Sequence, residues 1–375
     1  MRYLDYAATT PVDPRVFEKM APYFTKLFAN PSSAHPCARA AREAVKASRK
    51  KLAALIGADD PDEIIFTSGA SESNNLAIKG VAECYDEPVH FITSSFEHKA
   101  ALNAAMQLKE WGHKVTLIRP DEGGVVRVKD VEAAIRPNTV LCSIMHVNNE
   151  LGTIQPIDEI SRLCKRRGVL FHTDATQSFG KMPIRATGDI DMMSLSAHKF
   201  YGPKGIGALY CAKDVPLVCQ ISGGSQENGV RAGTTNVPGI VGMAEAAQLA
   251  CSSIREEYER LTKLQDAFVD IIKNEVPMAY MQGDPNRKVP WICNIAFYGV
   301  EGAKVRDMLG ERDFCVSRSS ACAKSGQRSH VLDAIGAHDE LATAAVRYSF
   351  GRFTEEKDVI DAAKETACIV TELRG

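Results

Sequence analysis

No C-x-x-C pair occurs in this sequence, no apolar run approaches the ~20 residues needed to span a bilayer, and neither sign of charge is in excess. The 11 cysteines are odd in number and scattered from Cys37 to Cys368, a spacing that suggests neither a disulfide framework nor a closed zinc site, so no metal is expected. Most are expected to be small buried apolar residues of a reducing compartment, Cys142 in its strand among them. A net charge of −2 gives no global electrostatic case for nucleic acid or a membrane surface. The N-terminal Met1-Arg2-Tyr3-Leu4-Asp5-Tyr6 has no apolar signal core, and the expected location is the cytoplasm. Internal repeats and low-complexity tracts are also missing.

What is present is a chain of 375 residues, 45% hydrophobic and 25% charged, suited to a large globular domain with a smaller one attached. Asp13 and Pro14 predict the start of a helix that runs to about Phe28, and Gly57 ends a long helix from about His35 to Ile56. Short apolar runs at 64–67, 89–93, 115–118, 139–145 and 169–173 then alternate with helices predicted at 71–83, 98–111 and 157–167. That alternation predicts an α/β fold with a mostly parallel sheet flanked by helices. The span 237–275 reads as largely helical. It leads to a smaller α+β unit with strands near 292–297 and 346–350 and a Ser/Ala/Gly-rich loop around 317–326. The expected division is an N-terminal arm, 1–12, a large domain, 13–245, and a small domain, 246–375.

One stretch concentrates reactive chemistry. The apolar run from Met192 ends in Ser196-Ala197-His198-Lys199 and a Gly/Pro turn, which puts an amine at a strand end. A partly desolvated lysine there has a lowered pKa and attacks carbonyls; a surface lysine at a turn is the bland alternative. Thr67-Ser68-Gly69-Ala70-Ser71 runs from a strand into a helix, where free N–H groups and the helix dipole favour an anion. Ser196 and His198 could add donors to the same anion. A phosphate beside an imine-forming lysine points to pyridoxal 5'-phosphate, whose ring nitrogen needs a buried carboxylate. Asp174 ends an apolar strand and can meet that need, or serve only as a helix cap; Gln177 follows and could reach the ring's phenolic oxygen. His98 opens a helix and could stack on the ring and shuttle a proton. Asn149 follows another strand and offers a polar contact to cofactor or substrate.

In this order, and with Tyr3 to Thr10, Asn30 to His35, Glu97 to Lys99, His146 to Thr153 and Arg231 to Thr234, the motifs resemble the cysteine desulfurases. These are fold-type-I pyridoxal-phosphate enzymes of the class V aminotransferase group, and the resemblance covers almost the entire chain. It implies that Lys199 bonds the cofactor, Asp174 pairs with the ring nitrogen, Gln177 contacts the ring oxygen and His98 stacks on the ring. Ala70, Ser71, Ser196 and His198 would hold the phosphate. Thr234 would join them from a neighbouring subunit, which implies a homodimer. Cys322, on a loop of small residues with Arg318 and Lys324 near it in sequence, matches the catalytic thiol. Arg347 matches the arginine that clamps the substrate carboxylate, with Asn149 beside it, whereas Arg352 is expected to be structural.

By this resemblance L-cysteine is the substrate, Lys199 removes its α-proton, and Cys322 takes its sulfur as a persulfide for an acceptor protein. Three departures from the family pattern stand out: Asn228 where an arginine is usual, Arg318-Ser319 where Ser-Gly is frequent, and Ser325 to Ser329 where Leu-Glu-Pro-Ser is typical. The chain also ends soon after its last helix, where iron–sulfur assembly members carry a longer docking tail. Iron–sulfur assembly, tRNA thiolation and DNA phosphorothioation all suit such an enzyme. The rival expectations are a selenocysteine lyase or other class V aminotransferase, for which Cys322 has no task in transamination, and a non-catalytic scaffold subunit.

Overall fold

The computed structural model describes residues 1–186, 188–318 and 328–375. Strands β1 (Arg2–Tyr3) and β2 (Ile64–Thr67) are separated by three helices: α1 (Pro14–Met20), α2 (Pro22–Thr25) and α3 (Ala38–Ile56). The predicted run to Phe28 is therefore broken. Pro22 has no N–H to give to the helical ladder, so the chain restarts there as a separate turn. Asp13 caps α1 as expected, its carboxylate accepting from Arg15 N–H. Gly57, at φ 75°, closes α3 in the left-handed conformation.

From β2 the chain alternates through α4 (Ala70–Ala82), β3 (His90–Ser94), α5 (Lys99–Glu110), β4 (Lys114–Ile118), α6 (Val128–Ala134) and β5 (Thr139–Ser143). It continues through α7 (Ile157–Arg166), β6 (Leu170–Asp174), β7 (Met192–Ser196) and β8 (Gly207–Cys211). The seven-stranded sheet has the order β2-β8-β7-β6-β5-β3-β4. All neighbours are parallel except β8, which runs antiparallel between β2 and β7. A sheet with helices on both faces buries strand side chains on both sides, and β2, β3, β7 and β8 are buried at every residue.

The helices α8 (Val237–Ser252) and α9 (Ile254–Glu275) meet at 70°. Among the described residues, no single helix is long and apolar enough to cross a membrane. A second sheet, β9 (Ala279–Met281), β10 (Ile292–Phe297) and β12 (Ala345–Ser349), is antiparallel in the order β12-β10-β9. Its apolar cluster packs with α9, α10 (Gly302–Glu311) and α13 (Glu356–Arg374). The short helices α11 (His330–Ala334) and α12 (Asp339–Ala344) precede β12. The N-terminal arm joins this unit: β1 pairs in parallel with β11 (Phe314–Cys315), and Asp5 bridges to Ser349 at the end of β12.

Candidate active site

A cavity of ≈ 420 Å³ opens beyond the carboxyl ends of β2, β3, β6 and β7, the side of a parallel α/β sheet on which ligands bind. Ala70, Ser71, His98, Asn149, Asp174, Gln177, Ser196, His198, Lys199 and Arg347 all line it. Those ten residues come from stretches up to 277 positions apart, from Ala70 to Arg347. Thr234 does not line it. It is exposed, and its neighbours Gly233 and Thr235 face a different, much smaller hollow. Cys322 lies outside the described residues.

The anion cradle is a backbone construction. Gly69 sits at φ 155°, ψ 177°, a conformation essentially restricted to glycine, and turns the chain from β2 into α4. The first N–H groups of α4 thereby open on the cavity beside Ser71. Gly207 of β8 lies so close that a Cβ there would sit 2.6 Å from the Gly69 Cα. Glu72 in the first turn is taken by other partners, accepting from Arg231 at 2.7 Å and from Ser68 N–H at 2.7 Å. His198, on the same cavity, is a neutral ring: its Nδ1 contacts the Thr9 hydroxyl at 3.0 Å, and burial, aided by Lys199, pushes its pKa down to about 3.

Lys199 ends the short 3-10 turn after β7, and its Nζ donates to the carbonyls of Ala7 at 2.6 Å and Ala8 at 2.7 Å. Gln177 Nε2 donates to the same Ala7 carbonyl at 2.8 Å. Asp174 is 6% exposed; one oxygen accepts from Asn74 Nδ2 at 2.7 Å and the other from Thr176 N–H at 2.9 Å. Behind it His172 is sandwiched between the hydroxyls of Ser143 and Ser194, and burial lowers its pKa to about 4, so it is uncharged at neutral pH. His98 caps α5 by accepting Ala100 N–H at Nδ1, which places the proton of the neutral ring on Nε2. Burial lowers its pKa as well.

Arg347 is 1% exposed. Its Nη1 donates to the Asn149 carbonyl at 2.9 Å and its Nη2 to the Asp5 carboxylate at 2.8 Å. Among the described residues, the Nε–H of Arg347, Oδ1 of Asn149, Oε1 of Gln177 and Oγ1 of Thr176 are buried with no hydrogen-bond partner. Unmade hydrogen bonds of this kind cost about 1–3 kcal/mol each, so four around one cavity mark positions for a polar ligand. Arg352 instead ties elements together: it donates to Asp13 at 2.8 Å and lies over the Tyr201 ring at 4.3 Å.

The described residues on either side of the segment that carries Cys322 bond to Arg347 of this wall and to Glu150 and Glu97, each next in sequence to a lining residue. On the N-terminal side Ser317 exchanges backbone hydrogen bonds with Arg347. On the C-terminal side the Ser329 hydroxyl donates to the Glu150 carboxylate, and His330 Nε2 donates to the Glu97 carbonyl at 2.9 Å, one residue before His98. Sequence reasoning placed neither tether. It also missed Asp5, Ala7, Ala8, Asn74 and Glu97 as parts of the site, although Tyr3 to Thr10 and Glu97-His98-Lys99 stood out as motifs. Glu97 is fully buried, accepts from the Ser94 hydroxyl at 2.6 Å and from Met145 N–H at 3.0 Å, and burial pushes its pKa up to about 8.

The sheet order and a strand-end lysine facing a helix-borne anion cradle define a class. The chain belongs to the aminotransferase class-V family, whose profile matches residues 2–361. Within that family it is 47% identical over 365 residues to the cysteine desulfurase IscS of Cronobacter sakazakii, an alignment covering 95% of this chain and 89% of the relative. Among solved structures, a NifS-like protein superposes with a TM-score of 0.94 at 36% identity, covering 99% of this chain and all of that one. A structure described as SspA in complex with cysteine superposes with a TM-score of 0.84 at 44% identity, covering 93% and 99%.

Proposed function

We propose that this protein is a cysteine desulfurase that uses pyridoxal 5'-phosphate to move the sulfur of L-cysteine onto Cys322. The observation that carries the reading is the cavity itself. An anion cradle, a carboxylate and a lysine amine face one space, and the residues flanking the Cys322 segment bond to Arg347 on its wall and to Glu150 and Glu97 beside it. The residues fit the cofactor. The α4 N-terminus, Ser71, Ser196 and His198 suit its phosphate, Asp174 its ring nitrogen, Gln177 its phenolic oxygen, Lys199 its aldehyde carbon and His98 its ring face. When bound, the cofactor supplies an electron sink for the pair freed at the substrate α-carbon.

The chain's own groups do the rest. The open Nε–H of Arg347 and the Nδ2 amide group of Asn149 donate to the substrate carboxylate. Lys199 takes the α-proton at Nζ, and His98, with its proton on Nε2, is a second proton-transfer group. The Cys322 thiolate attacks the substrate sulfur, so that L-cysteine and the enzyme thiol become L-alanine and an enzyme persulfide, with atoms and electrons in balance. An acceptor protein takes the sulfur from there.

Thr234 supports the dimeric part of this reading. It is exposed, away from its own chain's cavity, on a segment held by the Arg49–Glu227 and Arg231–Glu72 ion pairs. In a homodimer it would complete the phosphate site of the other copy. The arm, large domain and small domain divided at residues 12 and 245 belong to the same reading; the separate apolar cluster around β10 and α13 supports a second unit, while α8 packs with the large sheet's core as far as Ala250. A thiol that must stay reduced between turnovers suits the cytoplasm.

The test is an assay of the cofactor-loaded protein with L-cysteine and dithiothreitol, which reduces the persulfide, following alanine and sulfide. Wild type should form both, and Cys322→Ala should lose the activity while keeping the cofactor's absorbance. Alanine formation at the wild-type rate by Cys322→Ala would refute the assignment of the thiol.

A further inference from the structure

Arg347 already has an anion. The Asp5 carboxylate accepts from its Nη2 at 2.8 Å, and both groups are screened from water, with side-chain exposures of 18% and 1%. The contact is one-pronged: Nη1 goes to the Asn149 carbonyl and Nε–H stays unpartnered. Donors therefore remain for a second carboxylate beside the first.

Asp5 is not free to swing away. Leu4 N–H donates to Cys315 O at 2.9 Å, Ser349 N–H to Leu4 O at 2.7 Å and Ala7 N–H to the Ser349 hydroxyl at 2.9 Å, while the Tyr3 hydroxyl donates to the Asp5 carbonyl at 2.9 Å. The two bonds to Ser349 fasten the arm to β12, the strand that carries Arg347, the bond to Cys315 ties it to β11, and the Tyr3 hydroxyl holds the arm's own turn. A ligand carboxylate arriving at Nε–H thus meets a guanidinium whose charge is half spent and a fixed like charge next to it.

We propose that Asp5 is a built-in counter-ion that sets the strength of the carboxylate subsite, keeping Arg347 oriented while weakening its hold on substrate and product. The inference rests on Arg347 being the carboxylate site. A weak hold is useful because the product, L-alanine, keeps the same carboxylate as the substrate and must leave.

The experiment uses the holoenzyme with Asp5→Asn, Asp5→Ser and Asp5→Glu, and Arg347→Ala in parallel. Folding is checked by circular dichroism, and Asp5→Ser serves if Asp5→Asn does not fold. Asp5→Asn keeps an oxygen acceptor and removes the charge. It should lower the KM for L-cysteine and the inhibition constant for L-alanine about tenfold each, and lower kcat through slower product release. Inhibition by 2-aminoethanethiol, which has no carboxylate, should not tighten, and Asp5→Glu should return the wild-type values. Weaker binding of L-alanine to Asp5→Asn or Asp5→Ser, or equal tightening for 2-aminoethanethiol, would overturn the inference. If instead Arg347→Ala binds L-alanine as wild type does, the carboxylate assignment itself falls.

Discussion

Replacing Gly207 with alanine tests the packing on which the anion cradle depends. Gly207 lies in β8 opposite Thr67 of β2 on one side and Ser196 of β7 on the other. An alanine Cβ would stand 2.5 Å from Leu195 O, 2.6 Å from Gly69 Cα and 2.8 Å from Gly69 C. All three are backbone atoms, so no side chain can rotate aside. Reaching ordinary contact at 3.4 Å requires about 0.6–0.9 Å of retreat. Overpacking of this kind costs about 1–3 kcal/mol, a loss of a few degrees in thermal midpoint for a chain of this size. The retreat also moves the turn that aims the α4 N–H groups. Losing one good hydrogen bond to a charged group costs ~1.5–3 kcal/mol, so cofactor affinity should drop about tenfold or more. The assay pairs thermal unfolding with an absorbance titration of pyridoxal phosphate. Gly310→Ala is the control: it lies in α10 with open space around it and should be neutral or stabilising by ~0.5–1 kcal/mol. Wild-type midpoint and cofactor affinity in Gly207→Ala would refute the reasoning.

Two further outcomes follow from buried groups. His90, His146 and His172 are held neutral by burial with pKa values of about 4, whereas the unfolded chain protonates near 6.5. The unfolded state then binds more protons between those values, so each histidine makes stability fall by up to ~1.4 kcal/mol per unit as pH drops through that window. Glu97 has the opposite sign: with its pKa raised to about 8, the native carboxyl keeps a proton that the unfolded state loses, so stability falls as pH rises from about 4.5 to 8. Urea unfolding should be hardest near pH 6.5, and Glu97→Gln should flatten the alkaline side. A pH-independent midpoint would contradict both assignments. Separately, Asn74→Ala strips a hydrogen bond from the Asp174 carboxylate and should cost ~1.5–3 kcal/mol in unfolding free energy, with weaker cofactor binding; unchanged values would show that Asn74 does not orient Asp174.

Much of the large sheet was legible because its evidence is local. Apolar runs of four to five residues, several ended by Ser, Gly, Asp or His and most followed by a helix, announce both the strand and the ligand-binding end of the strand. Lys199, Asp174, His98 and Ser71 could be picked out for that reason, and Gly57 and Asp13 ended and began helices where short-range stereochemistry requires. The break at Pro22 was local as well, but the amphipathic pattern continues through it.

The sequence by itself determined an α/β chain with reactive residues at strand ends, because strand, turn and cap preferences act over a few residues. Only the tertiary structure decided that β8 turns back between β2 and β7, that Asn74 holds Asp174 from 100 residues away, and that the arm grips Lys199 through Ala7 and Ala8 and Arg347 through Asp5. A carbonyl or a carboxylate carries no mark of its distant partner. Backbone pairing and packing bring the two together, and their meeting gives Asp5, whose partner the Tyr3 to Thr10 motif does not reveal, its place beside Arg347.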